Sequence, residues 1–114
     1  MEVNRIEVRN RLSDIMTECG EEPHLYFQPN ESSRLTYPCM IYHLKTLTTR
    51  SANNRPYYNQ VSFDITYITR SPVSDVPMKM LEDPMFSFDR YYTAENLHHY
   101  SYTTRDSIKK GGQS

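Results

Sequence analysis

QVSFDITYI, from Gln60 to Ile68, is the stretch whose pattern decides the fold. Val61, Phe63, Ile65 and Tyr67 alternate with Gln60, Ser62, Asp64 and Thr66. A period of two puts successive side chains on opposite faces, so this is a strand with one buried and one polar face. An apolar sheet face needs a second layer over it, and the flanking sequence supplies candidates.

Upstream, residues from about Glu2 to Cys19 read as an amphipathic helix. Val8, Leu12, Ile15 and Cys19 form one apolar stripe, while Arg5, Arg9 and Glu18 can face water. Asn4 followed by Glu7 resembles a capping box, and Gly20 is placed to end the helix in a left-handed turn. HLYFQ (His24–Gln28) is a short strand candidate closed by Pro29, and the polar stretch PNESSRLTYP reads as a loop. From Tyr37 to about Thr49 both alternating sets are largely apolar, which predicts a strand covered on both faces.

SANNRPYY carries the turn pair Asn53-Asn54 and predicts a β-hairpin. Downstream, SPVSDVPMKMLEDP predicts a short helix over Ser74–Glu82, capped by Ser74 or Asp75, with Pro77 in its first turn and Pro84 after its end. Strands near Met85–Tyr91 and Leu97–Thr104 complete the set. Residues 1–106 are read as one domain, and 107–114 as a disordered polar tail. The expected architecture is α+β: a single largely antiparallel or mixed sheet of about five strands, with both helices packed on one face.

Composition narrows the function. Formal charge is −1, from 13 basic and 14 acidic residues, and this disfavours a dedicated nucleic-acid binder. No apolar run approaches the roughly 20 residues that span a bilayer, and MEVNRIEVRN lacks the apolar core of a signal peptide. Glycine occurs only at 20, 111 and 112, too sparsely for a phosphate-cradling loop or a nucleophile elbow. Cys19 and Cys39 fit no zinc spacing, and are expected to be reduced thiols.

The segment FSFDRYYTAENLHHYSY (Phe86–Tyr102) gathers Asp89, Arg90, Glu95, Asn96, His98 and His99 among six rings. On a strand the adjacent histidines point to opposite faces and cannot chelate one ion together. Cys39 and His43 lie roughly 13 Å apart along one strand, too far for a hydrogen bond. No carboxylate pair has a fixed spacing, so no enzyme, metal or cofactor signature emerges. Aromatic platforms for single-stranded nucleic acid need a cationic groove, and here Arg55, Arg90 and Arg105 are balanced by Asp64, Asp89 and Asp106. Tyr, Phe, Met and Arg are instead the residue types enriched where proteins meet.

YFQP (Tyr26–Pro29), YPCMIY (Tyr37–Tyr42), VSFDITYITRSP with the following DVP, and FSFDRYYTAENLHH resemble, in this order, small tail proteins of long-tailed phages and prophages of Gram-positive bacteria. These are the tail terminators, also called tail-completion or tail-to-head joining proteins. The resemblance runs from about Glu2 to Thr104, and its recognisable stretches fall on Tyr37, Pro38 and Cys39, and on Phe88, Asp89, Arg90, Tyr92, Thr93, Asn96, Leu97, His98 and His99. It implies a non-enzymatic virion protein, made in the host bacterial cytoplasm, that assembles as a hexameric ring. Such a ring caps the tail tube, docks to the head connector and passes DNA through its lumen without specific binding. Asn53, Asn54, Arg55, Tyr57, Tyr58, Asp89, Arg90, Tyr91, Tyr92, Asn96, His98 and His99 are the candidate contact residues. A head-closure or adaptor protein of the connector is the alternative ring, and a small nucleic-acid-binding module or enzyme is the alternative of another class.

Overall fold

A computed structural model describes residues 5–30, 32–52, 55–104 and 107–110. The chain forms one mixed sheet with two helices, an α+β fold. In order these are α1 (Arg5–Glu18), β1 (Leu25–Phe27), β2 (Cys39–Ala52), β3 (Arg55–Thr69), α2 (Val76–Glu82), β4 (Phe86–Ala94), β5 (Leu97–Thr104) and β6 (Ser107–Lys110). The strands lie in the order β1-β2-β3-β5-β4, and β6 also pairs with β3. Among the described residues the β1–β2 pair is parallel and the other pairs are antiparallel.

The strand read from Gln60 to Ile68 does lie at the centre of the sheet. Its apolar set Phe63, Ile65 and Tyr67 faces the helices and shares a core with Val8, Leu12, Ile15 and Met16 of α1. Met40 and Tyr42 of β2, Val76 and Met80 of α2, Phe86 of β4 and Tyr102 of β5 complete it. Both helices therefore cover the same face. A smaller cluster of Cys39, Ile68 and Leu97 sits on the opposite face, packed against Tyr26, Leu35, Tyr37 and Ile41. Cys39 and Met40, adjacent on β2, are each fully buried, one in each cluster. That is why β2 is apolar on both faces.

Local chemistry sets the helix ends. Gly20 has φ +79°, the Gly20 amide donates to the Thr17 carbonyl (3.0 Å), and the Glu21 amide donates to the Met16 carbonyl (2.9 Å). This pair of bonds is the Schellman motif, which satisfies carbonyls that the helix leaves open. Asn4, the proposed cap, lies outside the described residues. At α2, Asp75 holds the N-cap position without a side-chain cap bond, and the Val76 amide donates instead to the Ser74 hydroxyl (3.2 Å). After α2, Asp83 accepts from the Met85 amide (2.9 Å) and from Nε of Arg11 on α1 (2.5 Å). One carboxylate thus ties α1, the end of α2 and the start of β4. That bond, ahead of the coulombic attraction, raises the Arg11 pKa.

Two expectations need correction. The β2–β3 ladder is longer than alternation alone implies, running from Cys39↔Ile68 to Ala52↔Arg55. The hairpin expected at SANNRPYY is formed by β2 and β3, the correction being that most of these residues lie inside the two strands, and Asn53-Asn54 lies outside the described residues. The second correction is to the tail: Ser107–Lys110 is a strand paired with Tyr58–Val61 of β3. The physical reason is that β5 occupies only Asp64–Thr69 on that side of β3. Backbone groups further along the same edge need partners, and the chain leaving β5 is the nearest source.

Burial has a cost at high pH. It raises the Cys39 thiol from 9.0 to about 11, and it also raises the Tyr67 and Tyr102 phenols. A raised folded-state value stabilises the fold fully below the unfolded value, and that stability is lost as pH rises through the folded one. The melting temperature should therefore fall steadily above about pH 9 in thermal scans, reflecting these groups together with Cys19 and Tyr100, which burial also raises. Tyr102→Phe removes the buried hydroxyl that donates to the Pro77 carbonyl (3.1 Å). It should cost about 1–3 kcal/mol in denaturant titration, because the carbonyl is left unpaired.

Candidate functional site

Residues 86–104 form a hairpin at one edge of the sheet, with β5 paired inward to β3 and β4 outermost. Its turn is two residues long, and Glu95 (φ 54°) and Asn96 (φ 64°) both have positive φ, as a type I′ hairpin turn requires. Its right-handed twist matches the strands, whereas the TAEN segment reads in the sequence only as a break. Thr93 and Ala94 accordingly belong to β4.

A bulge at Asp89 reorganises the faces. The register passes from Phe88↔Tyr102 to Arg90↔Ser101, so Asp89 has no partner residue of its own. An inserted residue shifts the alternation by one. Phe86, Phe88 and Tyr91 therefore share the helix-covered face with Tyr100 and Tyr102, while Arg90 and Tyr92 share the opposite face with His99 and Ser101.

On the helix side, the Tyr91 ring lies 4.8 Å from Tyr100 and stacks on His98 at 5.9 Å, and its hydroxyl is 2.7 Å from His98 Nδ1. Phe88 meets Tyr102 edge-on at 5.5 Å. On the other side Tyr92 stacks on His99 at 4.7 Å, and His99 Nδ1 is 3.2 Å from the Leu97 carbonyl. The two histidines do point apart, and each is fixed against a different tyrosine. Phe88, Tyr91 and Tyr92 are all exposed, so the hairpin presents rings held rigidly by neighbours yet open to solvent. Rigid, half-exposed rings with polar tips lose little entropy on contact.

The other candidate residues are elsewhere. Arg55, Tyr57 and Tyr58 lie on the outer part of β3, where Tyr58 pairs with Arg50 and Lys110. The β4–β5 turn sits near Thr69, at the opposite end of β3, roughly 36 Å away by strand rise. The fold thus separates the candidates into two groups at opposite ends of one strand.

The open face carries a further polar cluster that the sequence reading missed. His43 Nε2 is 3.7 Å from Asp64 Oδ2 across β2–β3, and Thr66, Asp89, Arg90, Tyr92 and Ser101 line the same shallow depression. Alternation assigns His43 and Asp64 each to a face, but their meeting depends on a cross-strand register that no local pattern contains. Among the described residues, no group of three His, Cys, Asp or Glu is placed to hold a metal ion. Cys19 and Cys39 are free thiols, and burial raises the pKa of both. No helix among the described residues is long and apolar enough to cross a membrane.

No family model matches the chain, and no curated protein matches it.

The turn offers a direct check on the hairpin. A left-handed conformation is costly for Glu and tolerated by Asn. Glu95→Asn should therefore stabilise the protein by about 0.5–1 kcal/mol in urea titration. Equal or lower stability would contradict the turn geometry.

Proposed function

We propose that this chain is the structural subunit of a phage tail terminator, a ring that caps the tail tube and joins it to the head connector. The observation that carries the reading is the β4–β5 hairpin: ordered, exposed aromatic side chains on the outermost strand of a sheet. Such a surface suits contact between proteins better than chemistry on a small molecule. The resemblance of the YPCMIY and FSFDRYYTAENLHH stretches to tail terminators supplies the particular assembly.

Charge fits the same role. A lumen that passes DNA must not grip phosphates, and a chain of formal charge −1 has no basic excess to do so. A ring also asks each subunit for two different contact faces, and Phe88, Tyr91, Tyr92 and Met78 are exposed large apolar side chains available to one of them. The partners in this reading are copies of the same chain, the tail tube protein and the connector, with the virion neck as the location.

Light scattering on the purified chain, alone and mixed with tail tubes, should find a hexamer-sized species in at least one condition. A strict monomer that binds DNA or a metal would sink the proposal. Particles assembled without this protein should carry tails of uncontrolled length; normal tails on filled heads that leak DNA would instead identify a head-closure protein.

A further inference from the structure

The exposed large apolar side chains gather mainly on two flanks at opposite edges of the helix-covered face. On one flank, Met78 and Leu81, 61% and 51% exposed, are neighbours at i and i+3 on α2. Lys79 turns towards α1, where it pairs with Glu18 (3.4 Å), and Leu81, about 200° further round the helix, lies on the side away from α1 with Met78 beside it. Phe88 and Tyr91 continue that surface, because Phe88 packs on Tyr102, whose hydroxyl bonds the α2 carbonyl of Pro77. On the other flank, Ile6 of α1 is 63% exposed, and Leu44 of β2 is 40% exposed. Leu44 pairs with Phe63 and so shares the helix-covered face. Arg5 lies over the Phe27 ring of β1 at 4.9 Å, which places the start of α1 above this edge.

Each flank borders a strand edge without a partner among the described residues. β4 pairs only with β5, and β2 beyond Leu44 pairs only with β3. On the outer side of β2 the Leu44 amide donates to Gln28 Oε1 (3.1 Å). Open edges with apolar flanks invite another chain. Charge leans the same way: the α1–β2 flank exposes Arg5, Arg9 and Lys45, with Glu7 half-buried beside them, and the hairpin exposes Asp89 and Glu95, Asp89 being paired with Arg90 at 3.2 Å.

We infer that neighbouring subunits join head to tail, the α2–β4 flank of one copy seating on the α1–β2 flank of the next. This rests on the ring reading and specifies its contact. Two different patches on opposite edges make a heterologous interface, which closes into a ring when the rotation allows and cannot end at a dimer. The backbone edges supply register, and the apolar flanks widen the contact towards the roughly 800 Å² per partner that specific interfaces bury.

Complementary variants test this. Leu81→Glu/Phe88→Glu blocks one flank, and Ile6→Glu/Leu44→Glu blocks the other with the same charge. Each alone should be monomeric by light scattering and native mass spectrometry. An equimolar mixture should form a heterodimer that grows no further, because only one intact pair of flanks remains. Far-UV circular dichroism verifies folding, and the matching Ser substitutions replace any variant that fails to fold. If either variant assembles like the parent, or the mixture stays monomeric, the inference is overturned while the ring reading stands. A parent chain that is monomeric alone and with tail tubes overturns both.

Discussion

Tyr67 is the residue on which the fold depends. Its ring is fully buried in the main core, but its hydroxyl must still find polar partners, and it donates to Glu21 Oε1 at 2.7 Å. Ser74 donates to the other oxygen of the same carboxylate at 2.8 Å and lies 2.7 Å from the Tyr67 hydroxyl. Glu21 follows α1 and Ser74 precedes α2, so one phenol on the central strand fixes the exit of one helix and the entry of the other. Tyr102 makes the second tie, to the Pro77 carbonyl. Phenylalanine in either place would fill the same volume without holding the helices in position.

This arrangement explains how a chain of low mean hydropathy maintains a core. Tyrosine contributes apolar area through its ring and a directional bond through its oxygen. The same residue type then serves a different purpose at β4, where Tyr91 and Tyr92 are braced by histidines and open to solvent. Core and exposed hairpin are built from one chemistry, and strand position decides whether a given ring is buried or open to solvent.

The elements with local signals were legible from the sequence. The stripe Val8, Leu12 and Ile15, the left-handed Gly20, the alternation of Phe63, Ile65 and Tyr67, and the prolines around α2 each depend on near neighbours. What was hidden depends on distant partners: the parallel pairing of β1 with β2, the docking of β6, the length of β2–β3, and the meeting of His43 with Asp64. The candidate residues of the Phe86–Tyr102 segment are brought together because a hairpin is itself local. Arg55, Tyr57 and Tyr58 fall elsewhere because β3 is long enough to carry its two ends far apart.

The bulge at Asp89 has a genetic consequence. A strand sorts its residues by parity, so the extra residue is what allows Phe88 and Tyr91 to share a face although three positions apart. Loss of the Asp89 codon would remove the extra residue and leave a regular ladder, with Arg90 still opposite Ser101 and Tyr91 still opposite Tyr100. Loss of a codon in the regular stretch beyond it would instead exchange every following side chain between the two faces. Substitutions in β4 are local events, and the extra residue at Asp89 gives the strand a position where a single-residue deletion is local as well.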